Sequence, residues 1–216
     1  MDNLKIKIKK KFFNIFIYGD SNTWGYVPTL TPYSGDDNKT DRYDSDDIWW
    51  NTLNDDYFLF VNGVNGRTIS LDHPDLEGRN ALKTIDADFT PAAINLSIIM
   101  LGTNDLKDCY KKAPSDLIDD MDGLVNKIND RYHSLILLIS PPLIMPSPIT
   151  NAKYTNGIDK INEYEKLLKE YAHSKGYLFA SAKGCEVGID GEHLTKEGHK
   201  KLGKIVNEKV KEIKWN

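Results

Sequence analysis

The chain has 216 residues, 40% apolar and 28% charged, with 28 Lys and Arg against 32 Asp and Glu and a formal net charge of −4. That length suits one domain with a sizeable core, and residues 1–216 are read as one domain. The slightly acidic balance offers no basic footprint for phosphates, so nucleic acid is not expected as a partner, and no run approaches the roughly 18 apolar residues of a membrane span.

Near the start, Lys5, Lys7, Lys9, Lys10 and Lys11 precede a short apolar run and superficially mimic a signal peptide. The run lacks a small-residue cleavage site and passes straight into a Gly-Asp-Ser turn, so residues 12–18 are read as a first strand. A long polar insertion follows at 28–47, then a helix expected over 46–54 and a second strand at 57–62. A short helix is expected near 79–86 and a third strand at 94–101. Pro114, Ser115 and Asp116 open a helix over 114–131, followed by a fourth strand at 135–140. A helix over 157–175, a short fifth strand at 177–180 and a helix over 195–213 capped by Thr195 complete the chain.

The strands are uninterrupted apolar runs, the pattern of strands buried on both faces between helical layers. The fold expected is α/β: a three-layer α/β/α sandwich around a five-stranded parallel sheet, flavodoxin-like in architecture. Val206, Val210 and Ile213 on the last helix suit a core or a subunit interface equally well, which leaves a homo-oligomer open. Cys109 and Cys185 form neither a disulfide scaffold nor a four-ligand zinc site, so a reducing, cytoplasmic setting is expected.

In open parallel sheets ligands bind beyond the carboxyl ends of the strands. The segments there read GDSNTWG, GVNGRT, GTND and SPP, and DGEH at 190–193 lies before the last helix. Ser21 stands where a helix begins and backbone N–H groups favour developing negative charge; it reads as a nucleophile or simply as a helix cap. A serine needs a base and a group to orient that base. His193 follows Asp190 by three residues in a Gly-containing loop, a spacing that brings the carboxylate to one ring nitrogen and leaves the other outward. The same spacing also describes a local surface pair. His73, His133, His173 and His199 read as surface or packing residues. Gly66 and Asn104 suit oxyanion donors, one by backbone and one by side-chain amide, and are also ordinary turn residues. Their joint placement on one rim favours the catalytic reading.

In order and spacing, the blocks GDSNTWG, VNGRT, MLGTND and DGEH-Leu resemble those of the GDSL or SGNH hydrolases, over nearly the whole chain. Trp24 and Gly25, Arg67 and Thr68, and MLGTND with Lys107 soon after resemble the arylesterase and acyltransferase branch. The resemblance implies Ser21 as nucleophile, His193 as general base and acid, and Asp190 as its orienting partner. It implies an oxyanion hole from the N–H groups of Ser21 and Gly66 and the amide of Asn104. The family fold is the sandwich described above, without the G-x-S-x-G elbow of ordinary lipases.

The function expected is a serine esterase acting on small acetyl-type carboxylic esters through an acyl-enzyme, with acyl transfer as a further outcome. It needs neither metal nor organic cofactor. Short acyl chains are expected because the chain has no obvious apolar lid and its mean hydropathy is −0.49. The alternative is a non-catalytic flavodoxin-like module binding a small molecule, in which Ser21 only caps a helix. A third, phosphatase-like reading is weaker, for lack of a two-metal pattern or a Gly-rich phosphate cradle. The insertion's Asp36, Asp37, Asp41, Asp44, Asp46 and Asp47 do not fit an EF-hand, since Trp49 stands where Gly is required, and are read as a solvated loop that disfavours anionic substrates if it overhangs the rim. Trp24, with Trp49, Trp50 and the Pro141-Pro142 pair, is a candidate for binding the substrate.

Overall fold

Uninterrupted apolar runs become adjacent parallel strands because each must cover both of its faces. The computed structural model describes residues 13–53 and 57–214. The five strands are β1 (Asn14–Gly19), β2 (Phe58–Gly63), β3 (Leu96–Met100), β4 (Leu135–Ser140) and β5 (Leu178–Ser181). They form one sheet in the order β2-β1-β3-β4-β5, with every pairing parallel. This is the expected α/β sandwich, with strand limits moved by one or two residues. Lys5 to Lys11 and Phe12 lie outside the described residues.

Alternate side chains feed two cores, as the period of a strand requires. Phe16, Tyr18, Ile99 and Leu138 pack with Ile85, Leu124 and Leu168 on one face. Ile15, Ile17, Ile98, Leu137 and Ile139 pack with Trp49, Leu53, Leu202 and Val206 on the other. The helices are α1 (Ser21–Trp24), α2 (Ala81–Asp88), α3 (Asp116–Tyr132), α4 (Pro148–Asn151), α5 (Gly157–Lys175) and α6 (Lys196–Lys211). Val206 and Val210 are fully buried, so that stretch of α6 belongs to the core.

One expectation needs correction. The helix at 46–54 is instead a pair of 3-10 turns, Ser45–Asp47 and Trp49–Leu53. Asp, Asn and Thr side chains there compete for backbone groups; Thr52 Oγ1 donates to the Trp49 carbonyl at 3.0 Å and to the Gly203 carbonyl at 3.1 Å. Residue 54 lies outside the described residues. At the start of α3, Ser115 makes no side-chain cap; Asp116 Oδ2 accepts the Ala113 N–H at 2.9 Å instead. Thr195 caps α6 as expected, accepting the Gly198 N–H at 3.0 Å.

The chain direction switches at β1, whose neighbours β2 and β3 continue to opposite sides. The loops after β1 and β3 therefore splay apart at that edge and leave a crevice.

Candidate active site

The crevice is lined from the end of β1 outward. Gly19 is required there because a Cβ would meet Thr23 Oγ1 at 2.1 Å. Asp20 caps α1 by accepting the Asn22 N–H at 2.9 Å, which makes Ser21 the first helical residue. Its N–H has no acceptor within the helix. From the far end of the chain, His193 Nε2 lies 2.8 Å from Ser21 Oγ and His193 Nδ1 lies 2.7 Å from Asp190 Oδ2. A carboxylate only accepts, so Nδ1–H donates to Asp190 and Nε2 is left to accept from the Ser21 hydroxyl.

Asp190 is 1% exposed. Burial alone would push its carboxyl up. The hydrogen bond and charge of His193, with the N–H groups of His193 and Glu192, outweigh burial and hold it below the ordinary carboxylate range. The loop is docked by Gly191 at φ +81, where a Cβ would strike the Met145 carbonyl oxygen at 2.2 Å. The Tyr26 ring stacks on the imidazole at 4.2 Å between centroids.

Gly66 sits at φ +75 after β2, and its N–H meets no acceptor among the described residues. Asn104 opens a 3-10 turn after β3; its Nδ2 donates to the Arg67 carbonyl at 3.0 Å and its Oδ1 accepts from Lys107 Nζ at 2.6 Å. Ser21, Gly66, Asn104 and His193 share one small pocket of about 40 Å³ with Lys107 and Glu192. Among the described residues its lining includes no Ala, Val, Leu, Ile or Met, and the Tyr26 and Tyr33 rings form its apolar wall. By the space one water occupies, the pocket holds about three or four small groups.

Two buried carboxylates nearby are perturbed upward. Burial pushes Asp20 to about 6 and Asp105 to about 7, although backbone N–H bonds to each oppose the rise. Glu192 goes the other way, to about 2: burial would raise it, but His193, Lys153 and Lys107 prevail. Its carboxylate accepts from Lys153 Nζ and from Tyr154 OH at 2.8 Å. Burial pulls the Lys107 ammonium below the ordinary lysine value, with Glu192 opposing. Among the described residues no group of three or more His, Cys, Asp or Glu side chains is arranged to hold a metal.

The sequence profile of the GDSL-like lipase/acylhydrolase family matches residues 17–201. The chain belongs to that family. As a GDSL-like hydrolase it is a carboxylic ester hydrolase, and the non-catalytic module no longer competes. Among solved structures it is similar to Est24, a carbohydrate acetylesterase from Sinorhizobium meliloti, at 29% identity and TM-score 0.81, covering 93% of this chain and 99% of that one. It is also similar to the native aryl esterase of M. smegmatis, at 27% identity and TM-score 0.82, covering 94% and 100%. Among curated proteins no sequence relative matches.

In this GDSL-like hydrolase Trp24 is not among the residues lining the pocket. The Arg42 guanidinium covers its ring at 5.1 Å, and Arg42 Nε donates to its carbonyl at 2.7 Å. Trp49 is core, and Trp50 Nε1 donates to the Thr23 carbonyl at 2.9 Å. The acidic insertion reaches the rim through Asp37, whose Oδ1 accepts from Tyr33 OH at 2.6 Å and Asn65 Nδ2 at 2.8 Å. Sequence reasoning missed Asn22, Tyr26, Lys153 and Glu192. Only Glu192, inside DGEH, carried a signal: a charged residue between the candidate Asp and His.

Proposed function

We propose that this enzyme cleaves short-chain, acetyl-type esters by a Ser-His-Asp mechanism. The observation that carries the reading is the hydrogen-bonded series from Asp190 through His193 to Ser21 Oγ, ending in a pocket about 40 Å³ in size. Ser21 Oγ attacks the ester carbonyl while His193 Nε2 takes its proton, and Asp190 stabilises the imidazolium. The tetrahedral oxyanion accepts hydrogen bonds from the Ser21 and Gly66 N–H groups and from Asn104 Nδ2. Collapse breaks the bond to the alcohol oxygen, which takes the proton from His193. Water, deprotonated by His193, then attacks the acyl-serine and releases the acid; an alcohol in its place gives acyl transfer instead.

The small volume of the pocket, whose apolar wall is limited to the Tyr26 and Tyr33 rings, favours acetyl over longer acyl groups. The acetylesterase and aryl esterase activities of the two similar structures support a sugar or aryl alcohol as the leaving group. The test compares wild type with Ser21→Ala by fluorophosphonate labelling and p-nitrophenyl acetate hydrolysis. Labelling and turnover both disappear in the variant; equal turnover in both proteins overturns the mechanism.

A further inference from the structure

Asn104 is gripped from two sides, and the two grips admit one orientation of its amide. The Arg67 carbonyl accepts and so requires the NH₂ group, while the Lys107 ammonium donates and so requires the oxygen. One N–H of Nδ2 is used by Arg67. The other remains for the pocket shared with Ser21 and Gly66.

Lys107 lines the same pocket. Among the described residues it forms no ion pair; Glu192, the acidic side chain sharing the pocket, is engaged by Lys153 and Tyr154. A half-buried ammonium with no direct ion pair, balanced only at longer range by Glu192, is costly in the resting protein. Its cost falls when negative charge arrives nearby, and a preorganised positive charge needs no rearrangement at that moment.

We propose that Lys107 is a positioning residue for ester cleavage, turning the Asn104 amide toward the tetrahedral oxygen and holding beside it a positive charge that no direct ion pair engages. The inference rests on the oxyanion-hole reading above. Lys107 acts through Asn104 rather than by touching substrate, so the effect falls on the transition state and spares ground-state binding.

The experiment uses Lys107→Met, Lys107→Gln and Lys107→Arg in the full chain, assayed with p-nitrophenyl acetate. Inhibition by an aryl trifluoromethyl ketone, which forms an anionic tetrahedral adduct on serine, is measured beside that by acetanilide, a neutral ground-state analogue. Lys107→Met lowers kcat by about tenfold to a hundredfold with KM within about threefold. The inhibition constant of the ketone rises by the same factor as kcat/KM falls, while acetanilide is unaffected. Lys107→Gln, which can still donate to Asn104 but carries no charge, falls between, and Lys107→Arg restores most of the loss. Wild-type kcat in Lys107→Met or Lys107→Gln, or equal weakening of ketone and acetanilide, overturns the role of Lys107. Wild-type turnover that survives Ser21→Ala overturns the serine mechanism itself, a distinguishable result.

Discussion

The side-chain oxygen of Asn22 accepts the backbone N–H of Leu194 at 2.9 Å, joining the segment after the first strand to the loop before the last helix. The same amide donates through Nδ2 to the Glu192 carbonyl at 3.1 Å. His193, which reaches Ser21, lies between these two backbone groups.

Asn22→Ala therefore strands two buried backbone groups, each costing about 1–3 kcal/mol. The expected outcome is a lower melting temperature together with a loss of about tenfold or more in kcat/KM, because the imidazole is no longer held against Ser21. Thermal unfolding and p-nitrophenyl acetate kinetics check it; full activity in Asn22→Ala would show that the tie is only structural.

Removing the Asn104 amide tests the hole directly. Asn104→Ala is expected to lower kcat by about 10²–10³ with little change in KM, the size of effect for one oxyanion donor. Asp190→Asn leaves the geometry close but favours the wrong histidine tautomer, and is expected to cost about 10⁴ in kcat. Steady-state kinetics separate the two: comparable losses in KM would place these residues in substrate binding.

Two glycines at positive φ should respond differently to alanine. At Gly191 the added Cβ would meet the Met145 carbonyl at 2.2 Å, so the loop carrying Asp190 and His193 must shift. At Gly66 the nearest atom to a Cβ is Leu76 Cδ1 at 3.9 Å, and only the left-handed backbone resists, by about 1–2 kcal/mol. Gly191→Ala should lose most activity, and Gly66→Ala should retain it to within about tenfold. Reversed effects in the ester assay would refute the docking of the loop.

Acid stability should depend on His199. The side chain is fully buried on α6, and neither ring nitrogen has a hydrogen-bond partner among the described residues. Burial, reinforced by the His193 charge, lowers it from 6.5 to about 4 against the pull of Asp47. The unfolded chain thus binds a proton that the folded chain refuses between those values. This contribution is fully present above pH 6.5 and is lost as pH falls toward 4, by at most about 3 kcal/mol. Asp20 and Asp105 work in the opposite direction, because their raised values let the folded state bind protons first. His199→Phe, which keeps an edge contact with Tyr43, should flatten the acid limb in denaturant melts at pH 4.5 and 7. An unchanged limb would contradict the assignment.

Local chemistry made much of this protein legible before its folding was known. Apolar runs without alternation placed the five strands, and Gly157–Lys175 matches the expected helix to the residue, because periodicity over many turns averages out local exceptions. The turns at 45–53 were not legible, since short polar side chains there bond to backbone in a way that periodicity does not register. That Trp24 stands outside the pocket lining was not legible, because nothing local shows that Arg42, eighteen positions later, covers its ring.

The amino-acid sequence by itself determined the strands, the long helices and the kinds of side chain that follow each strand. Tertiary structure alone decided which of them meet: Ser21 with His193, Asn22 with Leu194, Asn104 with the Arg67 carbonyl, and Glu192 with Lys153. Covalent order sets each donor and acceptor and its local turn, but contacts between residues as far as 172 positions apart form only once the sheet brings its carboxyl edge together.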